Sequence, residues 1–263
     1  MTTILHTREP MRLLLLGGTI EAAELARRLA GAENIRATLS LAGRTANPPA
    51  MPLPTRVGGF GGAEGLADYL AREEIDLVVD ATHPFADQIS GNAIRACAIA
   101  GIALVAVERP PWEKRDGDDW IEHASVQDLV AALPEAPQRI FSGLGRQAIG
   151  ALMQAPQHHY VIRVVDDVAP PPQLPHAKMI AARGPFRAED DEALFRAQAI
   201  ACVLAKNAGG SAAYAKIEAA RRLGIPVHIV RRPAIGARPV VASVDAAMAA
   251  IALHQSSRSK RGV

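Results

Sequence analysis

Short apolar runs alternate with longer amphipathic stretches along nearly the whole chain. The clearest run, Met11 to Leu16, contains four consecutive leucines and suits a strand covered on both faces, as strands of parallel sheets are. The stretch that follows, Glu21 to Ala30, sets Ala22, Leu25, Ala26 and Leu29 on one helical face and keeps Glu21, Glu24, Arg27 and Arg28 off it. The same periodicities predict strands near 12–16, 35–41, 55–57, 76–80 and 103–107, with helices near 20–30, 63–73 and 86–100 between them. At Glu108-Arg109-Pro110-Pro111-Trp112 the rhythm breaks, and the charged stretch Glu113 to Asp119 reads as a connection. Alternation then resumes, with strands near 138–142, 159–165, 177–181, 201–204 and 226–230 and helices near 125–133, 146–154, 188–199, 211–223 and 243–253.

Strands alternating with helices predict an α/β fold with mostly parallel sheets flanked by helices. Each half has a strand that ends in a glycine-bearing loop, Leu16-Gly17-Gly18-Thr19 in the first and Ser142-Gly143-Leu144-Gly145-Arg146 in the second. This predicts two Rossmann-like domains, residues 11–135 and 136–254, with an active-site cleft between them. A single continuous sheet is the alternative that the alternation also permits, and strand order is not readable. Residues 1–10 read as a disordered extension and 255–263 as a flexible tail.

Composition narrows the class. A chain of 263 residues with 49% apolar content can bury one large core or two modest ones. Its net charge of +2 is too small for a nucleic-acid protein, and no basic helix or metal finger is present. Cys97 and Cys202 both lie in apolar runs, which argues for inert core thiols in a reduced, cytoplasmic compartment. No apolar stretch reaches membrane-spanning length. Oligomeric state is not encoded legibly; a monomer is the working expectation.

The candidate chemistry sits at the predicted strand ends. Gly17, Gly18 and Thr19 can turn the backbone sharply and bring amides against a phosphate, although the three-glycine spacing of the dinucleotide fingerprint is absent. A tight turn and a phosphate site are equally good readings of these three residues alone. The second strand ends without the acid that holds ribose hydroxyls in NAD enzymes; Ser40 and Arg44 stand there instead, which favours NADP. Gly59, in the run Val57 to Gly62, permits either mobility or close approach of a flat ligand. In Asp80-Ala81-Thr82-His83-Pro84-Phe85, Thr82 can cap a helix whose first turn takes Pro84. His83 is either a general acid or a packing residue, and Asp80 either a site carboxylate or one bonded to neighbouring amides.

In the second half, Lys206-Asn207-Ala208-Gly209-Gly210-Ser211 repeats the strand, glycine loop and helix arrangement, with Lys206 suited to an anion and Ser211 to a cap. Arg109, Arg146, Arg163 and the run Arg183-Gly184-Pro185-Phe186-Arg187 are individually ordinary arginines; gathered together they would suit a substrate with several carboxylates. Hydrolase elbows, zinc-protease pairs and ATPase phosphate loops are absent, and His158-His159 alternate across a strand, so no metal site is expected.

Leu-Gly-Gly-Thr-Ile-Glu-Ala at 16–22, Asp-Ala-Thr-His-Pro-Phe-Ala at 80–86, Glu-Arg-Pro-Pro-Trp at 108–112, Arg-Gly-Pro-Phe at 183–186 and Lys-Asn-Ala-Gly-Gly at 206–210 together resemble the precorrin-6A reductase family of cobalamin biosynthesis. The resemblance runs over roughly residues 11–253. It implies transfer of hydride from NADPH to precorrin-6A, a polycarboxylated tetrapyrrole, to give precorrin-6B. By the same resemblance Gly17, Gly18 and Thr19 would meet the pyrophosphate, Ser40 and Arg44 the 2′-phosphate, and Glu21 would also bind the cofactor. Gly59, Thr82, His83, Pro84 and Phe85 would also contact the cofactor. Arg109, Gly143, Arg146, Arg183, Gly184, Lys206 and Asn207 would meet the substrate, with Lys206 the first candidate proton donor and His83 the second. Two other readings stay open: a non-catalytic NADP-binding sensor, and a reductase of another small anionic metabolite, cobalt-precorrin-6A included.

Overall fold

A computed structural model describes residues 9–43, 50–166 and 169–260. The chain divides into two units. Unit 1 runs through Arg109 and resumes at Ala234; unit 2 is Pro110–Pro233.

Unit 1 opens with β1 (Met11–Leu16), α1 (Ile20–Ala30), β2 (Ile35–Leu41) and β3 (Thr55–Val57). It continues through α2 (Gly62–Arg72), β4 (Leu77–Asp80), α3 (Asp87–Ala100) and β5 (Ala103–Val107). Its sheet is wholly parallel in the order β12-β5-β4-β1-β2-β3, where β12 is Val240–Val241. The leucine run shows why the strand needs two covers. Leu13 and Leu15 pack with Leu25 and Leu29 of α1 and with Ala247 and Ile251 of α8 (Val244–Lys260), while Leu14 and Leu16 pack with Leu66 and Leu70 of α2 and Ala93 and Ala96 of α3. Side chains alternate across a strand, so consecutive leucines feed two cores at once.

Unit 2 begins with β6 (Trp120–His123), α4 (Val126–Ala131) and β7 (Arg139–Ser142), then a 3-10 turn at Arg146–Ala148 that passes into α5 (Ile149–Leu152). It goes on through β8 (His159–Val164), β9 (Ala177–Ala181), α6 (Ala188–Ala197), β10 (Cys202–Lys206), α7 (Ala215–Leu223) and β11 (Val227–Val230). This sheet is also wholly parallel, ordered β6-β11-β10-β7-β8-β9. Phe195 of α6 and Ile217 and Ala220 of α7 cover one of its faces together with Trp112 and Trp120.

Both sheets share one plan: two strands step outward from a first strand, β2 and β3 from β1 and β8 and β9 from β7, and the chain then crosses to build the other side. The sixth position of each is filled out of turn. β6 follows β5 in the chain yet pairs with β11 of unit 2, and β12 follows β11 yet pairs with β5 of unit 1. The expected boundary at 135/136 is therefore displaced, because residues 110–135 belong to the second sheet and its helices, and 234–254 to the first. The single-sheet alternative falls.

The expected flexible tail is also corrected over residues 255–260, which continue α8. Ser256 and Ser257 donate to carbonyls one turn back, Gln255 donates to Asn34 O, and Arg258 pairs with Asp76 at 3.1 Å. Residues 1–8 and 261–263 lie outside the described residues, as does Arg44.

Candidate functional site

Because every strand in a sheet runs the same way, all carboxyl ends fall on one edge, and the loops that leave them gather there. In unit 1 the first of these loops follows β1. Gly17 donates to Ser40 O at 3.0 Å, and a side chain there would start 2.6 Å from Leu39 Cδ1, so any larger residue would force that buried leucine to move. Gly18 has φ +120° and nothing near its missing side chain, leaving its backbone open to a ligand. Thr19 caps α1 by accepting from Ala22 N at 3.1 Å and donates to Ala81 O at 2.7 Å. That bond joins the ends of β1 and β4, the two strands between which the sheet reverses its order. Ligands of open α/β sheets bind at this reversal, where a helix start offers amides to a phosphate. Glu21 in the first turn of α1 pairs with Arg109 at 2.7 Å.

At the neighbouring strand ends, Ser40 is buried and accepts from Arg56 Nη1 at 2.8 Å. Arg56 also donates to Gly58 O and Gly59 O, at 2.9 and 3.0 Å, and lies 3.8 Å above the Phe60 ring. Three of its five N–H groups are thus committed to holding the guanidinium flat beside the glycine run. Arg56 was not foreseen as a site residue; its signal in the sequence was its place directly before Val57-Gly58-Gly59.

The β4 end departs from expectation in its capping. Thr82 does not cap α3, which starts at Asp87; its hydroxyl and its amide both donate to Asp80 Oδ1, at 2.7 and 3.1 Å. Pro84 accordingly stands in the turn ahead of the helix. His83 Nδ1 accepts from Phe85 N at 3.2 Å, and the two rings lie 5.8 Å apart. Asp80, Thr82, His83, Pro84 and Ser90 line a pocket of about 180 Å³ open to solvent, with Val107, Glu108, Ile235 and Arg238 completing it. Arg238 reaches in from the returning segment and is ion-paired with Glu108. Burial pulls its guanidinium below the ordinary value, and the Asp80 charge partly restores it.

In unit 2 the corresponding loops follow β7 and β10. Gly143 donates to Leu204 O at 2.9 Å, and the stem of Lys216 fills the space its side chain would need, 2.9 Å away. Lys216 is buried, donates to Ala213 O and lies 5.0 Å from the Trp112 ring. Burial pulls its ammonium down to about 8; Asp191 opposes that shift and Arg163 adds to it. Arg146 is exposed in the turn after Gly145.

Half-buried Lys206 ends β10. The Asn207 side chain accepts from Trp112 N at 2.7 Å and donates to Trp112 O at 2.9 Å, while Arg232 donates to Asn207 O and Ala208 O, each at 3.0 Å. This loop is thus fastened to the segments by which the chain enters and leaves unit 2. Ser211 does not cap α7, which starts at Ala215 after a turn in which Tyr214 N donates to Ser211 O.

Arg183 follows β9 and pairs with Asp166 at 2.9 Å, with Gly184 next to it. Arg163 instead lies between the rings of Phe141 and Phe186, at 4.8 and 4.2 Å, and is paired with the buried Asp191, which makes it part of the core. Among the described residues no cluster of three or more metal-ligating side chains occurs, and no helix is long and apolar enough to cross a membrane.

Comparison with known proteins agrees with this arrangement. Residues 12–252 match the family described as Precorrin-6x reductase CbiJ/CobK. The chain is 50% identical over 252 residues to the Precorrin-6A reductase of Rhodobacter capsulatus, covering 96% of this chain and 99% of that protein. It is 51% identical over 244 residues to that of a Sinorhizobium species, covering 93% and 94%. A solved structure of the CobK precorrin-6A reductase superposes with a TM-score of 0.87 at 51% identity over 93% of this chain and 97% of that one. A match that spans both units, with the glycine turns at both switch points inside it, leaves one assignment: the chain belongs to the precorrin-6x reductase family.

Proposed function

We propose that this chain is an oxidoreductase that saturates one double bond of precorrin-6A, giving precorrin-6B in cobalamin biosynthesis, with NADPH as the reductant. The observation that carries the reading is the Thr19 bond to Ala81, which sets a glycine turn beside the strand end where a nucleotide-binding sheet reverses, in a chain of this family. The residues fit a dinucleotide: an open glycine backbone, a capped helix start, and a hydroxyl on β2 bonded to a guanidinium on β3 where an acid would stand in an NAD site. When bound, the reduced nicotinamide supplies the hydride.

Gly17, Gly18 and Thr19, with the head of α1, receive the pyrophosphate, and the Glu21–Arg109 pair steadies that helix start. Ser40 and Arg56 receive the 2′-phosphate, the role that the sequence also gives Arg44, which lies outside the described residues. Gly59 lets the cofactor approach the backbone, and Thr82, His83, Pro84 and Phe85 border its inner end. The substrate carboxylates are assigned to Gly143, Arg146, Arg183, Gly184, Lys206 and Asn207, and to Arg109. A hydride added to one carbon requires a proton at its neighbour, and Lys206 is the first candidate to deliver it, with His83 the second. Holding the two carbons at contact distance does most of the remaining work. The chain acts in the cytoplasm as a monomer, which gel filtration at the mass of one chain checks.

Mixing the protein with precorrin-6A and NADPH and following nicotinamide absorbance tests the activity. NADPH that binds but is never consumed would replace this reading with the sensor, and faster turnover of cobalt-precorrin-6A or another anion would reassign the substrate. Arg56→Ala is expected to weaken NADPH about tenfold or more while leaving NADH within about twofold, since a charged hydrogen bond to the extra phosphate is lost. Equal weakening would remove Arg56 from the phosphate site. The same comparison applies to Arg44→Ala, and Lys206→Ala should lower turnover or tetrapyrrole affinity.

A further inference from the structure

The pocket at the carboxyl ends of β4 and β5 holds two buried polar atoms of opposite kind, neither of which has a partner. Asp80 is 3% exposed; Thr82 supplies both donors to its Oδ1, and Oδ2 is left over. The Arg238 side chain is 5% exposed; Nη2 is committed to Glu108 and Nη1 donates to Gly236 O at 3.2 Å, while Nε is left over. Buried polar groups are nearly always satisfied, so an acceptor and a donor lining one pocket describe what would complete them. An anion would meet the Asp80 carboxylate and a cation the Arg238 guanidinium. An apolar group would satisfy neither. A primary carboxamide satisfies both, because it donates through nitrogen and accepts through oxygen.

The position of the pocket selects the carboxamide. In this sheet β4 and β5 lie on one side of β1 and β2 and β3 on the other. A dinucleotide with its pyrophosphate at the β1 turn and its 2′-phosphate at Ser40 and Arg56 directs its other half over β4 and β5. On the dinucleotide reading given above, we infer that Asp80 and Arg238 clamp the carboxamide of the nicotinamide ring, Asp80 accepting from its nitrogen and Arg238 donating to its oxygen. Neither group takes part in electron transfer. They position the ring: held by its carboxamide, it cannot turn over, and one face is presented to the substrate.

Calorimetry separates this from a structural role by comparing NADP⁺ with 2′-phospho-ADP-ribose, the same molecule without nicotinamide. Asp80→Asn puts a donor where the carboxamide nitrogen points, and Arg238→Lys keeps a charge for Glu108 but removes the Nε donor. Each is expected to weaken NADP⁺ about tenfold and leave 2′-phospho-ADP-ribose within about twofold. The wild type should also prefer NADP⁺ to its 3-acetylpyridine analogue, which lacks the N–H donor, and Asp80→Asn should erase that preference. Parallel weakening of both ligands would mean that the pair only supports the fold, and unchanged NADP⁺ affinity would mean that a water fills the pocket; either overturns the clamp. No uptake of either ligand by the wild type would overturn the dinucleotide reading itself.

Discussion

Lys216 holds a charge where its surroundings resist one. Its stem occupies the space that Gly143 leaves free, and burial lowers its ammonium from the ordinary lysine value to about 8. The native state therefore releases this proton before the unfolded state does. Between pH 8 and the ordinary lysine value the unfolded chain binds more protons at this group, so the contribution of Lys216 to stability rises with pH across that window, against the fall that the buried Cys97 and Cys202 thiols, both pushed up to about 12, contribute from about pH 9. Below pH 8 both states are charged and the native one bears the full burial cost. Lys216→Met is expected to stabilise the fold at pH 7 by about 1–3 kcal/mol and to abolish the rise. Urea titrations at pH 7 and pH 10 measure both; a methionine variant that is less stable at pH 7 would show that the ammonium's bond to Ala213 outweighs its burial. Sequence reading missed Lys216 because its charge lies on α7 as one more polar position among Glu218, Arg221 and Arg222. Arg163 shows the opposite error: near a strand end it resembled a substrate ligand, and Asp191 and two phenylalanines claim it.

At the scale of elements, periodicity placed most strands and helices within a few residues, since each has a buried face that repeats locally. β6 and β12 escaped. Trp-Ile-Glu-His has its two middle residues exposed, and β12 has two residues only, too few to display a period. Capping was not legible: Thr19, read only as part of the glycine turn, caps α1, while neither expected cap, Thr82 nor Ser211, caps its helix. The Thr82 hydroxyl is drawn to Asp80 two residues back, a local bond that competes with capping. Thr19 ties local to non-local structure, because it caps α1 and also reaches Ala81. Thr19→Ala should cost about 1–2 kcal/mol, and Thr19→Ser, which keeps both bonds, much less. Thermal melts of the two variants check this, and equal losses would show that the threonine methyl matters and the hydroxyl does not.

For the whole molecule, the return of the chain to pair β12 with β5 means that unit 1 is not a continuous piece of chain, whereas unit 2 is. A fragment of residues 1–135 keeps β1 to β5 but lacks β12 and α8, so Val105 and Val107 lose the cover of Ala247 and Ile251. It also carries β6 without β11 to pair with. Such a fragment is expected to show no cooperative melt, whereas residues 1–109 joined by a short linker to 234–263 should regain one. Circular dichroism on heating distinguishes the two; cooperative melting of 1–135 would refute the discontinuous unit.

The sequence by itself determined which residues are buried in each element, that both halves are α/β, and that glycine loops stand at the ends of strands, because these properties repeat every two or about four residues and need no distant partner. Its ordered motifs also carried the family. Only the tertiary structure decided which sheet takes β6 and β12, that Arg56 meets Ser40, and that Asp80 and Arg238 share one pocket. Such pairings depend on groups far apart in the chain being brought to one edge by parallel strands, and nothing local marks a residue for a partner that the crossover delivers.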